Sequence, residues 1–457
     1  MLGLLCVIIL LIVLINLTPV QNFLAQKAVS YLSRKLDTKV SLKHVRIDLL
    51  NAATIEQLYI QDKQGDTLLF AGEAKLKITD WFFLKDKPVI SYVGLKNAYV
   101  NLYRKRDSEL WNYQFVIDAF ASKDKKKKDS KGGELNLDLR DVMLQQVRFH
   151  MVDEWVGSDM IGEVEEFVVN ARQINFEKKI IDIKSIAGTK VLFGLRDYKG
   201  GRPSVNKAKK IAEIDTTAFN PELWKISLAV LKLAESEFFI ESPDSDAPEG
   251  LFDAAHMNVS KINIDIRDVN IIGDTLRADL RMLQGVERCG LEIKKMSAAV
   301  TVSPNISECS NLVLQTKHST LTDYYAMQYK RFPDFLEYIT NVVMVANLKN
   351  AEVGIQDIAY FAPALQQFNN ISVKVSGQGK GTVEKLNVQN LSLHDGLTLV
   401  KGDVSFDGLP DIDRTFINFQ KAKIQTNGAA AMLYAPSLKN QDAIMLTALT
   451  QVDFEGS

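Results

Sequence analysis

Beyond Thr38, apolar and polar residues alternate along most of the chain, the signature of β-strands with one apolar face. In "KINIDIRDVNI", Ile262, Ile264 and Ile266 point one way while Asn263 and Asp265 point the other. After the Arg267-Asp268 pair, Val269 and Ile271 resume the apolar face. "ELNLDLRDVML" repeats the arrangement with Leu135, Leu137 and Leu139, then Val142 and Leu144. The polar pair introduces a one-residue slip in parity. Left uncorrected, it would turn every later side chain to the other face. A β-bulge or a tight two-residue turn absorbs such a slip, and Asn or Asp at the second polar position suits either device.

The same six-residue phrase (apolar, two polar, apolar, any residue, apolar) recurs along the chain. It reads "LKNAYV" from Leu95, "LRDVML" from Leu139, "IRDVNI" from Ile266, "LKNAEV" from Leu348 and "VQNLSL" from Val388. Weaker copies are "IEQLYI" from Ile55, "IKSIAG" from Ile183, "LAVLKL" from Leu228 and "CSNLVL" from Cys309. The end of "IKSIAG" fits poorly, and "LAVLKL" lacks the polar pair. Successive copies start roughly forty residues apart, a spacing typical of repeat architectures. The expected fold is mainly β: an elongated, repetitive, curled sheet forming a groove, whose units bury their apolar faces only with neighbours beside them. Short helices are expected to interrupt it. One runs over Thr322–Ile339 with a break at Pro333, and another over Asp357–Phe368.

The N-terminus reads differently. Met1–Leu17 carries no charge and meets the short limit for a membrane span. No basic flank or cleavage site marks it as a removable signal. Residues 1–18 are therefore expected to form an uncleaved transmembrane signal anchor. Residues 19–37 predict an amphipathic helix with Val20, Phe23, Leu24, Ala28, Tyr31, Leu32 and Leu36 on its apolar side. Such a helix caps a sheet, lies on a membrane surface, or does both. Residues 38–121 form a first β unit and 122–133 a charged, solvated linker. The repetitive β region then fills 134–457, and "TALTQVDFEGS" stops on an apparent strand, so a longer protein is expected.

Composition narrows the function classes. The 55 basic and 56 acidic side chains nearly cancel, leaving no basic domain for nucleic acid. Three cysteines are too few for a disulfide framework. Cys289 and Cys309 form the only candidate pair outside the N-terminal segment, with free buried thiols as the alternative. The histidines (His44, His150, His256, His318 and His394) are scattered, and none has a metal-ligand spacing with another His or Cys. No G-x-S-x-G elbow occurs. "SGQGKGTV" (Ser376–Val383) lacks the spacing of a phosphate loop and reads as a Gly-rich hairpin turn. The carboxylates fall mostly on outward strand positions. No catalytic residue, metal or cofactor is expected, and the chain reads as non-enzymatic.

The N-terminal stretch carries a family resemblance. "PVQNFL", "YLSRKLDTKVS", "GDTLLFAGE", "LKNAYVNLYR" and "YQFVIDAF" resemble the AsmA-like proteins, within them the TamB (translocation and assembly module) branch of Bacteroidota. "FDAAHMNV" and "DIAYFAPAL" are similar to later parts of the same proteins. The resemblance is good over about 120 residues and concerns architecture, not catalysis. It implies a single-pass protein of the bacterial inner membrane whose bulk lies in the periplasm. It also implies an apolar β-groove that carries phospholipid acyl chains toward the outer membrane. The alternative it implies is assembly of outer-membrane proteins with an Omp85-type barrel as partner. The residues with the cleanest alternation are the candidate groove lining: Leu135, Leu137, Leu139, Val142, Leu144, Ile262, Ile264, Ile266, Val269 and Ile271.

Overall fold

The computed structural model describes residues 17–48, 52–78, 89–120, 136–175, 178–203, 220–368, 370–434 and 448–456. The expected anchor over 1–18, apart from its last two residues, and the charged linker over 122–133 lie outside them. Among the described residues no helix is long and apolar enough to cross a membrane. The chain is mainly β and divides into two compact units. Unit 1 comprises Met1–Lys207, Ile226–Ala247 and Ala254–Ile262. Unit 2 comprises Ala208–Lys225, Pro248–Asp253 and Asn263–Ser457.

Unit 1 carries β1 (Val40–Ser41), β2 (His44–Asp48), β3 (Ala52–Gln61), β4 (Thr67–Ile78) and β5 (Val89–Arg104). They are followed by β6 (Asn136–Asp153), β7 (Ser158–Asn175), β8 (Ile180–Asp197) and β9 (Lys225–Glu241). β1 and β2 both pair with β3, and the sheet continues antiparallel through β5. β5 and β6 then pair in parallel, so the chain must cross back between them. β6, β7 and β8 are antiparallel again. Hydrogen bonds link β8 to β9 at a constant offset of 45 residues: the Val191 N–H donates to Ser236 Oγ, Arg196 to Glu241, and Ser227 to Asp182. A constant offset means that these two strands also run in the same direction.

β10 (Asn258–Ile272) begins in unit 1 and ends in unit 2. Unit 2 continues with β11 (Thr275–Glu287), β12 (Glu292–Ser303), β13 (Ile306–Thr316), β14 (Thr320–Gln328) and β15 (Val343–Gly354). It ends with β16 (Ser372–Gly381), β17 (Lys385–His394), β18 (Leu399–Asp407), β19 (Phe416–Thr426) and β20 (Val452–Gly456). From β11 to β20 each strand pairs antiparallel with the next.

The recurring phrase marks a backbone corner. Gln57, Asn97, Asp268, Asn311, Asn350 and Asn390, each the second polar residue of a copy, have φ between 50° and 53°. This left-handed conformation disfavours a Cβ, and Asn and Asp tolerate it best among residues with side chains. The corner residue turns its own side chain to solvent and its successor inward. Ala98, Leu312 and Ala351 are 3%, 5% and 0% exposed. In unit 2 the corner is a one-residue bulge. Leu348 pairs with Gly377, yet Ala351 pairs with Val375, three steps on β15 against two on β16. The same extra residue occurs on β13, β17 and β19. In unit 1 the corner produces no register shift, since Glu56 faces Glu73 and Leu58 faces Ala71. Glycine meets the corner where the neighbouring strand passes closest. Gly402 (φ 142°) lies so near that a Cβ there would sit 2.9 Å from the Gln420 carbonyl oxygen.

Three copies are corrected. In "LRDVML", "IKSIAG" and "LAVLKL" the left-handed residue falls five positions later than expected, at Gln146, Lys190 and Glu235. These strands are long, and the parallel pairing fixes their level. Leu95 pairs with Leu144 and Ala98 with Val147, which brings Gln146 beside Asn97 and leaves Asp141 opposite Tyr92. The phrase that matters on β6 is "LQQVRF" (Leu144–Phe149). A further copy, "FQKAKI" (Phe419–Ile424), has its corner at Lys421.

The expected helix over Thr322–Ile339 is also corrected. Its first half is strand β14, whose aromatic residues suit a pleated surface between β13 and β15. Only Phe332–Glu337 (a 3₁₀ turn) and α-helical Tyr338–Asn341 follow. The second expected helix is Ile355–Ala359, and Pro363 starts a separate 3₁₀ turn through Phe368. The glycine run is not a turn: through Gly381 it lies inside β16, and the chain reverses only before Lys385.

Helix α1 (Thr18–Leu36) starts with Pro19 in its first turn and ends at Asp37 with φ 49°. It packs on β1 and β2 and against the short helix α2 (Gln114–Phe120). Its buried residues are Gln21, Ala25 and Leu36, whereas Phe23 and Tyr31 face outward. The apolar side expected from periodicity is thus split. The ends of β5 and β6 are clamped by a largely buried ion pair, in which the Arg104 guanidinium donates to both Asp153 oxygens at 2.9 and 2.5 Å. Nearby, Asn112 Nδ2 donates to Asp62 (3.1 Å) and to the Asn101 carbonyl (3.0 Å), tying the β3–β4 turn to the segment after β5.

Two outcomes follow. Asn350→Val lowers stability by about 1–2 kcal/mol through left-handed strain, whereas Asn350→Gly changes it by a few tenths; equal effects in urea unfolding would contradict the corner. Burial raises the Asp153 pKa, but the Arg104 guanidinium and the Val156 N–H outweigh it and hold the carboxyl below its ordinary value. Its stabilisation is therefore complete above the unfolded value of about 3.9 and is lost as pH falls below that through the lower folded value. Asp153→Asn costs about 3 kcal/mol at neutral pH and flattens the acid limb of a stability–pH curve.

Candidate functional site

The register of unit 1 sorts its side chains into rows that cross the sheet. One row reads Ile55, Ala74, Leu95, Leu144, Phe167 and Gly188. The next, beyond the corners, reads Leu58, Ala71, Ala98, Val147, Val164 and Val191. A third reads Ile60, Leu69, Val100, Phe149, Gly162 and Phe193. Every member of these three rows is apolar or glycine. They flank the corners on both sides, so the corner keeps one face apolar across all three rows, until Arg104 and Asp153 end it on β5 and β6. The opposite face has a row of Glu56, Glu73, Lys96, Gln145, Glu166 and Thr189.

Burial across this face is uneven. Ala71, Ala74, Ala98 and Val147 form a buried cluster against which Ile55, Leu58, Leu95, Leu144 and Val164 pack. Farther from the corners the face opens: Phe149 and Val169 are half-buried, and Phe193 is exposed. The small alanines at the corner allow close approach there and leave larger side chains incompletely covered at either side. A continuous, partly uncovered apolar face of this kind signals a ligand or partner.

Unit 2 repeats the arrangement independently. Met344, Gly381, Leu386, Phe406 and Ile417 form one row, and Ala346, Gly379, Val388, Val404 and Phe419 the next. The β16 glycines contribute no side chains, which leaves a shallow strip in the apolar face between β15 and β17. A Cβ at Gly379 would meet nothing within 4 Å. A cavity of about 730 Å3 over β15–β17 is lined by Asn347, Gln378, Lys380 and Gln389 beside Val343 and Val345.

Among the residues singled out by alternation, Val142 and Leu144 stand in apolar rows of unit 1, both half-buried. Leu137 and Leu139 lie on β6, and Leu135 falls outside the described residues. On β10, Ile262 is buried, while Ile264, Ile266, Val269 and Ile271 are half-buried. Alternation missed Phe149, Val164, Phe167 and the alanine column, because a single strand does not reveal which neighbours stand beside it.

Cys289 and Cys309 are both free. Burial and the adjacent Glu287 carboxylate push the Cys289 thiol up to about 11, which suits an inert core thiol. His256 is buried with Nε2 3.1 and 3.0 Å from the Ser242 and Ser245 carbonyl oxygens, a loop-fastening role. Among the described residues no group of three or more His, Cys, Asp or Glu could hold a metal ion. Neither a protein-family model nor a curated protein matches the chain.

The burial gradient sets different costs along one row-crossing strand. Val147→Asp places a carboxylate in the buried cluster and costs several kcal/mol, abolishing cooperative folding of unit 1. Phe149→Asp, two residues on, keeps the fold. Comparable losses of melting temperature in the two variants would contradict the gradient.

Proposed function

We propose that the apolar face binds phospholipid acyl chains and that the protein is a membrane-anchored lipid conduit of the bacterial periplasm, of the AsmA-like, TamB type. The observation that supports this reading best is the unbroken set of apolar rows from β3 to β8, buried at the corners and half-covered beyond them. An acyl chain is a fitting occupant of such a face. Each buried methylene contributes about 0.8 kcal/mol without any directional contact, so affinity grows along the strip and no polar constellation is required. The apolar rows of unit 2 extend the same chemistry to a second surface of the same design. Anchoring by residues 1–18 and a periplasmic location belong to the same proposal.

Photoreactive residues at Phe149 and Ile264 of the full chain, expressed in a bacterial envelope, give phospholipid adducts on this reading. Lys96, on the opposite face, gives few. Adducts to unfolded outer-membrane proteins at the same positions would instead favour an assembly role with an Omp85-type partner. Ile264→Asp lowers co-purifying phospholipid several-fold while the melting transition is retained. Unchanged lipid in the folded variant would remove this face from the pathway.

A further inference from the structure

Helix α1 presents an organised outer side that the sheet does not use. Phe23, Lys27, Tyr31 and Lys35 follow one another at four-residue spacing, which places them on one stripe of the helix. Gln21, Ala25 and Leu36 are buried on the other side. Phe23 is 57% and Tyr31 54% exposed, unusual for aromatic rings when the same helix has a buried face to offer them. Each ring is paired with the cation one turn on. Lys27 Nζ lies 5.5 Å from the Phe23 centroid, and Lys35 Nζ lies 5.8 Å from that of Tyr31 and 3.4 Å from its hydroxyl. Arg34 stands beside them, its Nε donating to the Ser30 carbonyl at 3.0 Å.

The charge around this stripe is one-sided. No carboxylate occurs from Thr18 to Leu36. Lys27, Arg34, Lys35, Lys39, Lys43 and Arg46 face a single acid over Thr18–Arg46, Asp37, and that acid is paired with Lys63 at 3.0 Å. Exposed rings flanked by cations match the interfacial region of a bilayer. There the rings enter the level between headgroups and acyl chains, and lysine and arginine meet lipid phosphates.

We propose that the Phe23–Lys27–Tyr31–Lys35 side of α1 lies on an anionic phospholipid bilayer surface, with the opposite side docked on β1 and β2. The helix would then hold the first strands of unit 1 at the membrane. This deepens the membrane part of the reading above but rests on the side chains of the helix, not on the apolar face of the sheet.

The test uses the full chain reconstituted in vesicles of phosphatidylcholine, with or without phosphatidylglycerol. A nitroxide-bearing residue replaces Phe23, Tyr31 or, as a control, the exposed Leu223. Oxygen and water-soluble nickel accessibilities report the depth of each label. Positions 23 and 31 become lipid-immersed in the anionic vesicles and 223 stays in water. The Lys27→Gln/Lys35→Gln variant lowers the immersed fraction by about fivefold per charge removed, and high salt does the same. A chain that associates with the vesicles but keeps 23 and 31 in water overturns the inference while leaving the anchor intact. Immersion indifferent to anionic lipid and to both lysines also overturns it. Failure of the chain to associate at all overturns the inference and the anchored reading together.

Discussion

The structure depends on one constraint: side chains of a strand alternate with period two, so any extra residue reverses the two faces. A left-handed residue at each corner satisfies it. Leu95 and Ala98, three positions apart, end on the same face because Asn97 lies between them with φ 50°. Unit 1 meets the constraint without a register shift, with the kinks of β5 and β6 side by side, and unit 2 with a true one-residue bulge on alternate strands. The glycines opposite, at 377 and 402, make room for those bulges. Without a column of such corners, long strands such as β6 to β8 would present apolar side chains to both sides.

The outcome is an apolar face whose centre is packed and whose margins are not. Alanines and valines fill the corner column, which holds the buried cluster. Larger side chains such as Phe149 and Phe193 keep part of their surface open. Leaving apolar surface in water costs roughly 25 cal/mol per Å2, so a face this extended is costly unless something covers it. The proposed occupant of acyl chemistry would cover it without buried polar groups, which agrees with three rows free of charge. Away from these rows, Lys190–Glu165 links exposed positions on neighbouring strands.

Much of this was legible in the chain. Asn or Asp at the second polar position announced the corner in five copies, because few other residues accept that backbone, and Gln57 takes it in a sixth. On β6, β8 and β9 the local pattern misled, since Arg140-Asp141 looks like a corner pair while the partner strand places the bend at Gln146. Pairing is a nonlocal fact that alternation within one strand does not contain. For the same reason Val142 and Leu144 could be assigned to a face, but the row joining Leu95, Leu144 and Phe167 could not. The stretch over Thr322–Gln328 looked helical through its possible cap, and its pairing on both sides made it a strand. Helix α1 was expected, yet periodicity alone put Phe23 and Tyr31 on one side with Leu36, which the fold buries while the two rings face outward.

The central claim is that the apolar face is built to be occupied. It is tested most directly by native mass spectrometry of the full chain after exchange from detergent into a lipid-free amphipathic polymer. The account predicts that several phospholipids stay bound per chain and that they are displaced by free fatty acid of comparable length. A folded chain that retains no lipid and takes up no fatty acid would contradict it.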